Sequence, residues 1–431
     1  MKVAFGVALS AALLFQQAPP REASVARTAA AAAIDAAGDP SDCVTALKAF
    51  AARRRQEIRP PSGLTPQLLA QVDAETAALG DRCVSRFSDS SNPAVLPGMA
   101  ALYVEMGRLD NARSSAAAAL SANLPPERRA AALAAAIAIA LHEPKGEARY
   151  AKIETLLDEL DKNPSATLDQ RWSVHARLEG EYRSGDVDAG IVKHARWLAA
   201  AAGSLTPEQR RTYGPDVVTS HVNMAEALAG QGMNDEALAV LRKAAANWNE
   251  VPGAGAYITP AIARYSLVGS DAPPIKAPTW LNAPAGVKEM PMRGAVTLVE
   301  FTAHWCGPCR KSYPGVNRLR AQFESKGFRV VMVTRYWGYF SSPDGMQRDI
   351  SPEEERKQDA AYFAEYHLDV PVAIGDYASG PDPNDSAYKV NAIPQIHLID
   401  RKGRIRLIMV GYDDANEPKL ADLIAKLLAE S

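Results

Sequence analysis

Trp305-Cys306-Gly307-Pro308-Cys309 is the stretch whose residue types and spacing could do chemistry. Two cysteines separated by two residues can close a small disulfide and reopen it, and a thiolate there can attack a disulfide elsewhere. The run before them, Val296-Thr297-Leu298-Val299-Glu300-Phe301, is β-branched and apolar, as a buried strand should be. The run after them, from about Arg310 to Ser325, reads as a helix. That order puts Cys306 at a helix N-terminus, where partial positive charge favours the thiolate. The chemistry implied is dithiol–disulfide exchange.

Other uses of the pair fit less well. A zinc site needs two further ligands, but there is no second Cys-x-x-Cys and the adjacent histidine is His304 alone. A peroxidatic cysteine works from a different motif. Exchange needs no flavin, nucleotide or metal, so no cofactor and no metal are expected beyond the Cys306–Cys309 disulfide itself. Glu300 lies six residues before Cys306 and breaks an otherwise apolar strand. Buried there, its carboxyl would have its pKa raised by desolvation and could exchange a proton with the second thiol. A salt-bridged surface glutamate is the competing reading.

The elements that must position these residues belong to a long chain. Its 431 residues are too many for one core and suggest two or three domains. A net charge of -2 with 23% charged residues gives no electrostatic case for nucleic acid or an anionic membrane surface. Short basic clusters such as Arg53-Arg54-Arg55 read as a solvated helix face. Residues 1–26 read as an export signal: Met1-Lys2 is a positive start, and Val3 to Phe15 is an apolar run too short to span a bilayer. Cleavage is poorly marked, because Gln16-Gln17-Ala18 carries a large residue and Ser24-Val25-Ala26 lies far downstream. An alanine-rich first helix of a cytoplasmic protein is the alternative. Export implies a periplasmic or other envelope location, where Cys43 and Cys83 are most simply a structural disulfide. Two buried free thiols acting as small hydrophobes would also fit.

From about residue 28 to 265 there is no strand pattern. Helical runs cover Pro126–Leu141, Arg149–Leu160, Arg171–Tyr182, Pro207–Gln231 and Asn234–Trp248. Thr65-Pro66 and Thr206-Pro207-Glu208-Gln209 are helix entries, with a capping hydroxyl before a proline. The pattern Tyr103-x3-Gly107-x4-Ala112-x6-Ala119 is echoed by Gly232-x4-Ala237-x6-Ala244 and weakly by a copy at Gly185. It resembles the tetratricopeptide repeat, in which a glycine opens the turn and small residues let paired helices approach. The intervals between copies are irregular, so a degenerate helical-repeat array over residues 27–266 is expected, with an irregular bundle as the alternative. Such an array would offer a face to a protein partner or serve as a spacer.

Composition changes near Leu267, with seven prolines among residues 252–291. Gly269-Ser270-Asp271-Ala272-Pro273, Trp280-Leu281-Asn282 and Met292-Arg293-Gly294 before the strand resemble the entry to envelope thioredoxins of the TlpA/ResA type. With the motif itself, that likeness covers about residues 268–431. It implies an α/β thioredoxin-like domain, taken here as 267–431, behind the all-α domain. Pro314 matches the kink proline of the family's active-site helix, and Ile393-Pro394 matches its cis-proline loop, which faces the disulfide. Trp305, Gly307, Pro308 and Ile393 then become the expected substrate contacts, with Cys306, Cys309, Glu300 and Pro394 catalytic. A strand at Ile396–Asp400, a glycine turn, a strand at Ile405–Val410, Gly411 and a helix over Pro418–Ala429 complete the fold. The middle is longer than in plain thioredoxin. Strand Arg329–Thr334 is followed by Tyr336-Trp337-Gly338-Tyr339-Phe340, a loop, a helix entered at Ser351-Pro352-Glu353-Glu354 and a strand at Val370–Ile374. The aromatic run would line a substrate groove or pack under the inserted helix.

The resemblance implies a thiol–disulfide oxidoreductase that reduces a disulfide-bearing client protein and is itself recharged by a membrane or envelope electron donor. A scaffold protein with a regulatory redox domain is the second expectation. Insulin-reduction turnover separates the two.

Overall fold

Every regular element between Val25 and Tyr265 is helical in the computed structural model, which describes residues 25–60, 63–88, 92–184, 188–342, 345–376, 382–412 and 417–430. The expected export signal lies outside the described residues except for Val25 and Ala26, which open the first helix. Among the described residues, no helix is long and apolar enough to cross a membrane. The chain divides into two compact units, up to Val174 and from His175 onward.

The first unit holds α1 (Val25–Asp35), α2 (Pro40–Glu57), α3 (Pro66–Phe87), α4 (Leu96–Glu105), α5 (Leu109–Ser121), α6 (Pro126–Ala140), α7 (Glu147–Lys162) and the start of α8 (Leu168–Ser184). Asp39 caps α2 in a reciprocal capping box, and the Thr65 hydroxyl accepts from Leu68 N–H at 3.3 Å to start α3. Cys43 and Cys83 are disulfide-bonded between α2 and α3, both fully buried beside Leu47, Phe50, Leu79 and Leu102. At the α4–α5 turn Gly107 has φ 71°, and Arg108 N–H bonds Tyr103 O at 2.8 Å. The positive φ is why glycine is needed there.

The second unit begins within α8 and continues through α9 (Asp188–Ala201), α10 (Pro207–Gly230), α11 (Asn234–Asn247) and α12 (Ala254–Tyr265). The echoed motif builds the same turn here: Gly232 has φ 81°, and Met233 N–H bonds Leu228 O at 2.9 Å. Ala112 and Ala119 in one hairpin, and Ala237 and Ala244 in the other, are fully buried. The third copy, at Gly185, lies outside the described residues.

The sheet follows. Six strands run in the order β10-β9-β4-β5-β8-β2, from β2 (Thr279–Leu281), β4 (Val296–Phe301), β5 (Phe328–Arg335), β8 (Val372–Gly375), β9 (Gln395–Ile399) and β10 (Ile405–Val410). β4, β5 and β8 are parallel neighbours, while β9, β10 and β2 pair antiparallel. Two small ladders, β1 (Ile275–Lys276) with β3 (Glu289–Met290) and β6 (Tyr339–Ser342) with β7 (Gly345–Arg348), complete the strands. The helices of this part are α13 (Gly307–Phe323), α14 (Pro352–Glu365), α15 (Pro383–Tyr388) and α16 (Glu417–Ala429). Val296 and Leu298 of β4 pack with Val316 and Leu319 of α13 and Ile424 of α16.

Three expectations change in detail. The active-site helix starts at Gly307, not Arg310, because Cys306 caps it. The loop expected after Phe340 contains the β6–β7 hairpin, whose turn signal, Pro343-Asp344-Gly345, is present in the sequence. The short strand is Val372–Gly375, shifted from Val370–Ile374 by its register against β5. The sheet shares its compact unit with α9 to α12. Within the second unit α10 packs on β10, and Lys419 Nζ of α16 bonds Asp188 Oδ2 of α9 at 2.6 Å.

Replacing both Cys43 and Cys83 by alanine reopens a loop of 40 residues. The expected loss is about 4 kcal/mol or less in the chain-entropy view. Urea unfolding followed by far-ultraviolet dichroism should show the helical transition at lower denaturant. An unmoved transition would mean that the pair is dispensable to stability.

Candidate active site

All six residues of β4 are buried, hydrogen-bonded to β5 on one side and to β9 on the other. The chain leaves this strand at Phe301 and turns through Thr302–Trp305 into α13. Cys306 caps that helix with extended backbone (φ -79°, ψ 100°), and its Sγ accepts from Cys309 N–H at 3.1 Å. Cys306 and Cys309 are disulfide-bonded with Cα atoms 5.2 Å apart. Cys306 is 3% exposed and Cys309 0%. Gly307 and Pro308 fill the first turn, where a proline forfeits no intrahelical hydrogen bond. Pro314 lies inside the same helix. Once the bond is reduced, the unpaired N–H groups of this first turn would favour a thiolate on Cys306.

Glu300 is fully buried in the middle of the sheet, across from Met332 of β5 and Ile396 of β9. Its Oε1 lies 2.6 Å from Ser312 Oγ, and its Oε2 has no partner. Burial pushes the carboxyl up to about 8, with the Ser312 hydroxyl pulling weakly the other way. Ser312 Oγ is also 2.7 Å from Cys309 O. A hydroxyl has one proton for two acceptors, so both contacts are hydrogen bonds when Glu300 is protonated and donates to Ser312. Ser312 thus joins the acid to the turn that carries Cys309. Sequence reasoning passed over it; its signal was a small polar residue one helical turn beyond the second cysteine.

The Ile393–Pro394 peptide is cis. Gln395, the next residue, lies across from Phe301, so the proline loop and the Cys306 loop leave the sheet at the same end. Gly411 N–H donates to Pro394 O at 2.8 Å. Beside this end is a cavity of about 500 Å³ lined by Trp305, Trp337, Arg335, Asp382, Asp385 and Ile393, among others. Gly307 and Pro308 do not line it. Trp305 is 37% exposed and meets Trp337 edge-on at 5.0 Å, with the Arg335 guanidinium 4.3 Å from the Trp337 ring centre. Burial, with Asp382 nearby, pushes the Asp385 carboxyl up to about 6.

The aromatic run divides between a cavity wall and packing under the inserted helix. Trp337 lines the cavity, whereas Phe340 stacks on His304 at 4.6 Å and meets Tyr362 of α14 edge-on at 6.2 Å. His304 accepts from Ser341 N–H at Nδ1, and burial holds its imidazole down at about 4. It is a neutral brace between the inserted hairpin and the cysteine loop. Cys43 and Cys83 belong to the first unit.

The raised pKa of Glu300 makes stability depend on pH. The folded protein keeps the proton up to about pH 8, whereas an exposed carboxyl releases it near 4.5. The favourable contribution of the neutral form is complete below pH 4.5 and is lost as pH rises through about 8. Glu300→Gln keeps the shape without the charge. Its unfolding free energy relative to the parent is expected to rise between about pH 5 and 9, by on the order of 4 kcal/mol at most. Urea titrations across that range check this, and a difference independent of pH would place the carboxyl in water.

Comparison with known proteins agrees with this geometry. Residues 267–424 match the Redoxin family. The thioredoxin-like protein YneN of Bacillus subtilis (strain 168) is 28% identical over 143 residues, 33% of this chain and 71% of YneN. The thiol-disulfide oxidoreductase ResA of Bacillus thuringiensis (strain Al Hakam) is 25% identical over 122 residues, 28% of this chain. The match spans only 57% of ResA. A thiol-disulfide isomerase from Corynebacterium glutamicum aligns with 37% of this chain and 98% of its own, at 24% identity and TM-score 0.29. Residues 267–424 thus form a thioredoxin-like Redoxin domain, homologous to the thiol-disulfide oxidoreductase ResA.

Proposed function

We propose that this protein is a thiol–disulfide oxidoreductase that reduces disulfides of client proteins through the Cys306–Cys309 dithiol. The reading is carried by the disulfide at the N-terminus of α13, set at the sheet end where the chain also makes the Ile393–Pro394 cis peptide. Cys306, as thiolate, attacks one sulfur of a client disulfide. The client S–S bond breaks, one client thiolate leaves and a Cys306–client mixed disulfide forms. Glu300, in the fraction of molecules where its carboxyl is ionised as pH nears about 8, takes the Cys309 proton; Cys309 then attacks Cys306 Sγ, expelling the second client thiolate and closing the Cys306–Cys309 bond. Two electrons pass to the client, whose two thiolates take up two protons. A separate electron donor of the membrane or envelope then returns two electrons to the pair, and no further cofactor takes part. A carboxyl held at about 8 is close to an ordinary thiol near 8.5, so proton transfer between the two is nearly balanced.

Gly307-Pro308 between the cysteines and Ile393 before the proline favour the reducing direction, as the resemblance to thioredoxin implies. Trp305, which is exposed, and Ile393 line one cavity, which supports their contacting an extended client segment. The Cys43–Cys83 bond fits an oxidising compartment, which supports export to the periplasm or envelope. The α4–α5 and α10–α11 hairpins, with their shared glycine turn, support a tetratricopeptide-like array able to offer a face to a protein partner.

Two experiments test the chemistry. Cys309→Ser should accumulate thiol-labile client adducts on Cys306, seen on a non-reducing gel, because attack survives and resolution does not. Adducts on Cys306→Ser instead would reverse the roles. Glu300→Gln should resolve the mixed disulfide more slowly near neutral pH, read by stopped-flow release of substrate from about pH 6 to 9. Equal rates throughout would require another proton acceptor.

A further inference from the structure

Arg264, in the last turn of α12, is a cation only 2% exposed. A charge so placed costs several kcal/mol unless it is paired. Its Nη2 donates to Glu226 Oε1 of α10 at 3.0 Å, and Glu226 also takes Arg183 Nη2 at 3.2 Å. Its Nη1 donates to Asn391 Oδ1 at 2.5 Å, and its Nε has no partner. Asn391 stands three residues before the cis-proline, and it lines the same cavity as Trp305 and Ile393.

The tip of the loop at Asn391 is open to water, although Tyr388 before it is buried and Ile393 after it packs against the core. Asn391 and Ala392 are exposed, and Lys389 sits in the left-handed region at φ 55°. Between α12 and this loop lies a second cavity of about 200 Å³, lined by Pro260, Ala263, Lys389 and Val390 among others. The Arg264–Asn391 bond joins α12 to the loop beside this cavity. The loop is also tied by Val390 N–H to Asp385 O and Gly411 N–H to Pro394 O, both 2.8 Å, and by Gln395 Nε2 to Tyr388 O at 3.1 Å. The Arg264 charge also reaches β9, where it adds to the burial that holds His397 down at about 3.

We propose that Arg264, braced by Glu226, positions the cis-proline loop through Asn391, so that α10 and α12 set the geometry with which the site pairs with its disulfide substrate. This rests on the oxidoreductase reading. Arg264 is a positioning residue: it touches neither cysteine, and its effect passes through one side-chain bond. The segment from Asp188 to Tyr265 is then part of the redox machinery, beyond any partner that its helices also bind.

The test uses the full chain and four variants, Asn391→Ala, Asn391→Asp, Arg264→Gln and Arg264→Lys, with a disulfide-linked peptide as substrate. Losing a hydrogen bond to a charged donor corresponds to roughly a tenfold effect or more. Asn391→Ala and Arg264→Gln should therefore speed amide exchange at residues 389–393 by about tenfold, with β5 unaffected. Both should raise KM for the peptide and leave the Cys306–Cys309 reduction potential unchanged. Asn391→Asp, which keeps an acceptor, should stay close to the parent, whereas Arg264→Lys, whose single ammonium cannot reach both Glu226 and Asn391, should loosen the loop as Arg264→Gln does. Asn391→Ala removes an exposed side chain and so decides the matter even if Arg264→Gln does not fold. Parental exchange at residues 389–393 in Asn391→Ala would overturn the proposal. A parent protein that never reduces the peptide would instead sink the oxidoreductase reading, and the exchange data would still decide the loop's anchor.

Discussion

The burial of β4 is the constraint on which the site depends. A strand paired on both sides has no freedom of register, and its side chains must alternate between the two faces of the sheet. Val296, Leu298 and Glu300 therefore share one face, and α13 and α16 cover it. The carboxyl has no path to water, and the cost of charging it there appears as its raised pKa. The same strand ends where α13 begins, so the packing that buries the acid also directs the helix N-terminus at Cys306. Acid, thiol pair and helix dipole follow from the placement of one strand. Ser312, facing back from α13, is the one hydrogen-bond partner of the acid among the described residues.

The cis-proline loop, at the same end of the sheet, is held differently. Beside the packing of Ile393, it is tied by polar contacts from several elements: Asp385 of α15, Gly411 after β10, and Arg264 of α12. Such ties are directional, and they are specific where apolar packing would be adaptable. The inserted segment uses the same device. Glu355 of α14 accepts from Trp337 N–H at 2.6 Å and Gly338 N–H at 2.9 Å, which fixes the chain where Trp337 turns toward the cavity. The helices from Asp188 onward share a compact unit with the sheet, so the composition change near residue 267 marks a change of fold type within one body.

Much of this was legible because it is local. A run of β-branched residues between turns reads as a strand, and β4 and β10 have the limits that their patterns predict. Thr65 and Thr206 cap helices where their spacing to the next residues requires it. Gly107 and Gly232 adopt the positive φ that their shared pattern implies. The β6–β7 hairpin is less legible, because its strands are short and follow an aromatic run, and only Pro343-Asp344-Gly345 marks a turn there.

What the sequence alone determined is the chemistry available: two thiols at a helix start, an acid six residues earlier and a proline able to take the cis form. Their types and spacings lie along the chain, and neighbours along the chain have few geometries open to them. Tertiary structure alone decided which groups meet through space. Glu300 meets Ser312 across 12 residues, and Arg264 meets Asn391 across 127. Pattern does not encode such pairs, because a polar side chain at a given position reads the same whether it faces water or a buried partner. Only the closing of helices over the sheet removes the water and leaves buried polar groups to find partners in the protein.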